Sequence, residues 1–137
     1  MNKGMDISPL LERLFWVIDI LPKQVKPQSR GQFFAVEQHY LHDESLRGKF
    51  AAILLKLNCY EDLNVCVNDE WTLNPDPTKL AESVRVCGHV DILAGQALIT
   101  VNNDDTYITI YNPDDELLEL MRSLAGAEGL FLWQPPQ

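Results

Sequence analysis

The sequence predicts an α+β fold with N-terminal helices followed by an antiparallel sheet, which is built around a hairpin at residues 97–111 and joined by a C-terminal helix and a last strand. The hairpin prediction depends on two runs rich in β-branched and aromatic residues that flank the turn sequence NNDD. Apolar residues recur at helical spacing between Leu46 and Leu57. Asp114 and Asp115 indicate the start of another helix, because the N-terminal end of a helix favours carboxylates. The sequence GLFLW near the end of the chain predicts the last strand.

The N-terminal segment predicts a helix from Ser8 to Leu21. Ser8 can cap the first free amides, Pro9 fits the first helical position, and the apolar residues that follow fall on one stripe. Trp16 and Ile20 lie off that stripe, one turn apart. Two interpretations stay open for this pair: burial on a second side of the helix, or contact with a partner.

The middle of the chain predicts two more helices, a strand and one ambiguous segment. Residues 33–41 and 46–57 have helical spacing, although the first of these segments could also be a strand. Residues 63–67 alternate between apolar and polar positions, as in a half-buried strand. Asp76 followed by Pro77 indicates the start of a helix that Gly88 would cap. Residues 78–87 could instead be a strand, because two valines alternate there.

Length and charge indicate one domain over residues 1–137 and a basic partner. A chain of 137 residues can bury one core. The net charge is −9, and residues 61–119 alone carry −11, from 13 acidic and 2 basic residues. A segment this acidic repels phosphate groups. We therefore expect the binding partner to be a basic protein and not a nucleic acid. The competing interpretation is that the acidic residues only keep the chain soluble.

The cysteines and the N-terminal apolar run indicate a cytoplasmic protein with reduced thiols. The run from Leu14 to Leu21 is too short to span a bilayer, Asp19 interrupts it, and no small-residue cleavage site follows. Three cysteines at scattered spacing do not form a disulfide framework. We therefore expect no membrane partner.

One short segment, VCGHVD at residues 86–91, brings together three reactive side-chain types: Cys87, His89 and Asp91. A cysteine nucleophile needs a base within hydrogen-bond reach and a group that orients the base. Residues two apart on a strand share a face but lie about 6–7 Å apart, too far for direct proton transfer without a bend. A small enzyme that uses Cys87 and His89 is therefore the alternative, since most free cysteines behave as small buried hydrophobes.

Metal, cofactor and phosphate sites have weak support in the sequence. His39 and His42 would share a helix face, but a pair does not complete a tetrahedral zinc shell. The sequence NNDDT lacks the central glycine and distant glutamate of a calcium loop, so a turn is predicted there. No glycine-rich phosphate loop or nucleophile elbow is present, and we expect no cofactor.

Aromatic residues give the strongest indication of a binding surface. Tyr107 and Tyr111 would share one face of the second hairpin strand, opposite the isoleucines 108 and 110. If the isoleucines cover the core, the tyrosines lie outside beside acidic residues, an arrangement that favours protein binding. Trp71, Trp16 and Ile20 complete the predicted contact set. The sequence thus predicts an acidic protein-interaction or regulatory module, and a homodimer if Trp16 and Ile20 are exposed.

Overall fold

The computed structural model describes residues 6–137. These residues form four α-helices, seven strands and two short 3-10 turns, Leu10–Glu12 and Pro27–Ser29. The helices are α1 (Arg30–Leu41), α2 (Glu44–Leu57), α3 (Pro77–Val86) and α4 (Asp115–Ala127). The strands are β1 (Phe15–Asp19), β2 (Asn64–Val67), β3 (Glu70–Leu73), β4 (His89–Ala94), β5 (Ala97–Asn102), β6 (Tyr107–Tyr111) and β7 (Phe131–Trp133).

All seven strands form one sheet in the order β3-β2-β4-β5-β6-β1-β7, and every neighbouring pair is antiparallel. Hairpin connections join β2 to β3, β4 to β5 and β5 to β6. Strand β1 inserts between β6 and β7, so the first and last strands pair at one side of the sheet. The predicted α+β class, with its C-terminal helix and last strand, is confirmed.

The helix predicted from Ser8 to Leu21 is wrong. Pro9 begins only the single 3-10 turn, and the residues after it form strand β1. The sequence FWVID is rich in β-branched and aromatic side chains, which fit a pleated surface. Hydrogen bonds to β6 on one side and β7 on the other satisfy its backbone, whereas a helix here would have to bury a second apolar strip against some other element.

Most of the other predicted elements are confirmed. The helices α1, α2 and α4, the strand β2, the β5–β6 hairpin and the last strand β7 all lie where they were predicted. The ambiguous segment is helical up to Val86, where helix α3 ends, and the first amides of this helix donate to the Asp76 side chain. Gly88 does not cap the helix, because the backbone is already extended at Cys87. Strands β3 and β4 had not been predicted.

The sheet has two chemically different faces. On the first face, β-branched and small side chains pack under helices α2, α3 and α4 in a single core cluster. Phe50 of α2 and Ile110 of β6, for example, are completely buried there. The first-face members of this cluster are Ile18, Val65, Val90, Ile92, Ala94, Ala97, Ile99, Val101, Ile108 and Ile110.

The second face consists of the alternate residues of the same strands. Val17 and Leu98 are buried on it but lie outside the core cluster that the helices share. The 3-10 turn Leu10–Glu12 packs against β5. The remaining second-face residues are Phe15, Asp19, Asn64, Cys66, Trp71, Leu73, His89, Asp91, Leu93, Thr100, Asn102, Tyr107, Thr109, Tyr111, Phe131 and Trp133.

Candidate functional site

The second face combines half-buried aromatic rings with polar side chains. The strand register sets this composition, because residues paired across antiparallel strands point to the same side. Phe15 pairs with Tyr111, and their ring centroids lie 5.6 Å apart. Thr100 and Thr109 pair at the centre of the face and are nearly buried. Aromatic rings around a small polar centre offer contact area and hydrogen-bonding groups together.

His89 is held between two oxygen acceptors on this face. Its Nε2 lies 2.8 Å from Oδ1 of Asp91, and its Nδ1 contacts Oδ1 of Asn102, which β5 places directly opposite. Only the doubly protonated imidazolium can donate to both oxygens. Burial lowers the pKa of His89, but the hydrogen bond to Asn102 and the charge and hydrogen bond of Asp91 outweigh that effect, so the pKa is raised.

A chain of contacts connects this histidine to the helix layer. The amide of Asn102 donates to the Asp105 carboxylate, at 3.3 Å, which turns the amide oxygen of Asn102 towards His89. From helix α2, one guanidinium nitrogen of Arg47 donates to the backbone oxygens of Asn102 and Asp105, at 2.7 and 2.9 Å. Arg47 is only 9% exposed, so it fixes the β5–β6 turn from inside the protein.

Burial and nearby carboxylates raise the pKa values of the two tyrosines on the second face. Burial raises the pKa of the Tyr107 hydroxyl, and the charges of Asp105, Asp19 and others raise it further. Burial and Asp91 do the same for the Tyr111 pKa. Because carboxylates reinforce the effect of burial in both cases, a cation brought to this face would be attracted.

No strand of the sheet contains a lysine or an arginine, so no cationic side chain of a strand offsets these carboxylates. Within the acidic segment 61–119, the two basic residues are Lys79 and Arg85, and both belong to helix α3. The helix layer therefore carries all the positive charge of that segment. The strand residues of the second face include the carboxylates of Asp19 and Asp91 and the imidazole of His89.

The structure separates the aromatic contact residues predicted from the sequence. Trp71, Tyr107 and Tyr111 lie half-buried on the second face, and the isoleucines of β6 cover the core as the prediction required. Trp16 and Ile20 belong to the first face, where Trp16 pairs with a completely buried isoleucine and Ile20 packs against the core. Both are half-buried, so the condition for a homodimer is met only in part, and the dimer stays a prediction.

Cys87, His89 and Asp91 do not converge as the alternative enzyme would require. His89 and Asp91 are in direct contact, although residues two apart on a strand were expected to be too distant. Cys87, however, ends helix α3 and packs against the core, and none of the hydrogen bonds within residues 6–137 joins it to His89. The thiol that pairs across the strands with Asp91 is Cys66, whose pKa is raised by burial and by Asp91 and Asp69.

His39 and His42 do not form a metal centre with other ligands in the described part of the chain. The Nδ1 atom of His42 lies 2.8 Å from the backbone oxygen of Gln38, and the ring of His39 packs edge-on against Tyr40. Across residues 6–137, no three side chains of the histidine, cysteine, aspartate and glutamate types come close enough to hold a metal ion.

Several residues of the site had no clear signal in the sequence. The sequence predicts only a turn for Asn102 and Asp105, and Arg47 is one charged position among the apolar residues of a helix. Their contacts depend on which residue of β4 lies opposite Asn102, a register that a single sequence does not reveal. The position of Arg47 on the apolar side of its helix is the one indication in the sequence that it has polar partners, since arginine is seldom buried without them.

Comparison of the chain with protein families, curated proteins and solved structures found no match. Across residues 6–137, no helix has both the length and the apolar character needed to cross a bilayer.

Proposed function

We propose that this protein is an interaction module whose second face binds a basic segment of another protein. The observation that carries this proposal is a sheet face with half-buried aromatic rings among carboxylates and no lysine or arginine in any strand. Trp71, Tyr107 and Tyr111 provide rigid contact area, and tryptophan and tyrosine are enriched among residues that dominate binding energy. Asp91 provides a carboxylate charge that a basic partner would meet.

Electrostatics supports a basic protein over a nucleic acid. The segment 61–119 has a net charge of −11, and its only two basic residues lie on helix α3, in the layer that covers the first face. Such a field accelerates the approach of cationic surfaces and repels phosphates. We therefore expect complex formation to weaken as ionic strength rises, because added ions screen charges on exposed surfaces.

The test is site-specific photocrosslinking of the full chain in its own cells. A photoreactive phenylalanine analogue replaces Tyr107 or Tyr111 in two variants, and the matched control carries it at Glu82, an exposed position of helix α3. We expect the two second-face variants to crosslink to the same basic protein, and the Glu82 variant not to do so. Equal crosslinking from all three positions, or from Glu82 alone, would contradict the proposal.

Affinity measurements with the crosslinked protein then test the named contacts. Trp71→Ala and Asp91→Asn should each weaken binding by about tenfold, an effect typical of an important interface contact. Glu116→Gln removes an exposed charge of helix α4 and should leave the affinity within about twofold, as expected for a charge outside the interface. If Asp91→Asn and Glu116→Gln have equal effects, the charge matters only in total and the second face is not the interface.

We place this interaction in a reducing compartment such as the cytoplasm. All three cysteines are unpaired, and Cys59 is exposed. Free exposed thiols are usual in proteins that glutathione and thioredoxin keep reduced. Measuring the mass of the chain isolated from its cells under alkylating conditions tests this assignment, because three alkylated thiols are expected and an intact disulfide would contradict it.

A further inference from the structure

A small cavity lies where strands β1 and β7 meet the segment that leads into helix α1. Its volume is about 180 Å³. Half-buried apolar and aromatic side chains form its walls, and the Asp19 carboxylate and Trp133 bring polar atoms to it. The apolar and aromatic wall residues are Leu21, Val25, Phe33 and Trp133.

Two polar groups of this cavity lack a full set of partners. Asp19 accepts a hydrogen bond from the backbone amide of Ile20 at 2.7 Å but forms no ion pair within residues 6–137. The buried indole nitrogen of Trp133 forms no hydrogen bond of normal geometry. It lies close to Asp19, however: burial raises the pKa of the Asp19 carboxyl, and the nearby indole N–H partly opposes that rise. A half-buried carboxylate without a cationic partner favours a bound group that donates charge-assisted hydrogen bonds to it.

The charges around the cavity have a definite arrangement. The carboxylate of Asp19 is half-buried, whereas Lys23 and Arg30, which also line the cavity, are exposed. An isolated cation would be repelled by the two basic side chains, and an isolated anion would be repelled by the carboxylate. A molecule that carries both charges, with its cation inside and its anion at the opening, matches all three groups.

We propose that this cavity binds a free α-amino acid with an apolar side chain. The ammonium group would meet Asp19, and the carboxylate would meet Arg30 and Lys23. The apolar side chain would lie against Phe33 and the ring of Trp133. This site adds a small ligand to the molecule and does not depend on the protein-binding function proposed for the second face.

The size of the cavity supports a ligand of this class. A buried apolar cavity of about 150 Å³ binds benzene, so about 180 Å³ that opens to solvent can hold the side chain of leucine, methionine or phenylalanine. Pockets for larger, drug-sized ligands usually measure about 300–1,000 Å³. The cavity is therefore too small for a nucleotide or a folded peptide segment.

Calorimetric titration of the full chain with L-leucine, L-methionine and L-phenylalanine tests the proposal. We expect saturable binding of at least one of them at a ratio of one to one. The amide of that amino acid lacks the carboxylate and its N-acetyl derivative lacks the ammonium group, so each should bind at least tenfold more weakly. Equal binding of the amide would instead indicate the N-terminus of a peptide, and would overturn the assignment.

Variants locate the site and protect the test against unfolding. Asp19→Asn and Arg30→Gln should each weaken binding about tenfold, and Arg30 is exposed, so its replacement should leave the fold intact. Glu116→Gln serves as the control and should not change binding. In NMR spectra, the indole N–H signal of Trp133 should shift with the added amino acid, while those of Trp16 and Trp71 stay in place.

The proposal fails if none of the three amino acids binds at concentrations up to about 10 mM, the range of very weak ligands. It also fails if Arg30→Gln binds as tightly as the unaltered chain. Neither result bears on crosslinking from Tyr107 or Tyr111, since those variants leave Asp19 and Arg30 unchanged. Failure of the amino-acid site can thus be told apart from failure of the protein-binding function.

Discussion

The two faces of the sheet are built from alternate residues of the same seven strands, yet they differ in almost every property. Isoleucines and valines fill the first face and are covered by three helices, so their side chains are almost completely buried. The second face carries aromatic rings, carboxylates and an imidazole, and most of these side chains are half-exposed. The first face therefore supplies most of the core, whereas the second face combines a few buried residues with side chains that solvent or a partner can reach.

Neighbouring residues of strand β6 give the sharpest test of this difference. Ile110 is completely buried on the first face, between Trp16 and Ile99 of the adjacent strands. Ile110→Ala should lower the free energy of unfolding by about 2–5 kcal/mol, since it removes buried methyl groups and leaves a cavity. Tyr111→Ala should cost about 1–2 kcal/mol, because the ring is only half-buried and its main aromatic contact is Phe15.

Denaturant unfolding followed by circular dichroism measures both variants against the unaltered chain. The slope of the free energy with denaturant should stay constant, so that the midpoints report stability. A loss from Tyr111→Ala that equals or exceeds the loss from Ile110→Ala would show that the second face is also a core. The second face would then be a poor candidate for binding.

Local patterns predicted the parts of the fold that local contacts determine. A short turn connects the two strands of the β5–β6 hairpin, and the whole apolar stripe of helix α2 lies within Glu44–Leu57. Each of these local patterns therefore predicts only one kind of secondary structure. Strand β1 lies between β6 and β7, whose residues come about 90 or more positions later in the chain. The short apolar run of β1 is compatible with both a helix and a strand. Pairing with the distant strands β6 and β7 determines that it forms a strand.

The candidate site was predictable to the extent that it follows strand alternation. Tyr107 and Tyr111 share a face because they are four residues apart on a strand, which the sequence shows directly. The histidine network depends instead on the pairing of β4 with β5, which places Asn102 opposite His89. In the same way, the position of Cys66 beside Asp91 follows from the pairing of β2 with β4, so the cysteine that lies beside Asp91 in the sheet is not the one nearest to it in the sequence.

Arg47 connects the two faces, and its replacement should affect both. Arg47→Met removes two hydrogen bonds from a cation to the carbonyls of Asn102 and Asp105 while it keeps most of the side-chain volume. We expect a loss of about 1.5–3 kcal/mol in the free energy of unfolding, as is usual for hydrogen bonds to charged groups. The pKa of His89 should also fall, because the turn that orients the Asn102 amide is no longer held.

NMR titration of the histidine ring and denaturant unfolding give the two measurements for this variant. Arg85→Met is the matched control, since Arg85 is an exposed arginine of helix α3. It should change neither the stability by more than about 0.5 kcal/mol nor the pKa of His89. If Arg47→Met behaves like this control, the contacts of Arg47 do not support the second face.

His89 should make a small contribution to stability that depends on pH. Its pKa is raised in the folded protein above its ordinary value near 6.5. A group with a raised folded pKa stabilises the fold fully below its unfolded pKa, and this stabilisation is lost as the pH rises through the folded pKa. Because the His89 side chain is 51% exposed, solvent screening limits the contribution to a few tenths of a kcal/mol.

The measurement compares His89→Gln with the unaltered chain at about pH 5.5 and about pH 8.5, on either side of the ordinary histidine pKa. The variant should be less stable than the unaltered chain at the lower pH, and this difference should shrink at the higher pH. Asp91→Asn removes the charge that favours the imidazolium, so in that background the pKa of His89 should fall and the pH dependence should weaken. A His89 pKa at or below 6.5 in the unaltered chain, or a difference that grows with pH, would mean that Asp91 and Asn102 do not hold an imidazolium on the second face.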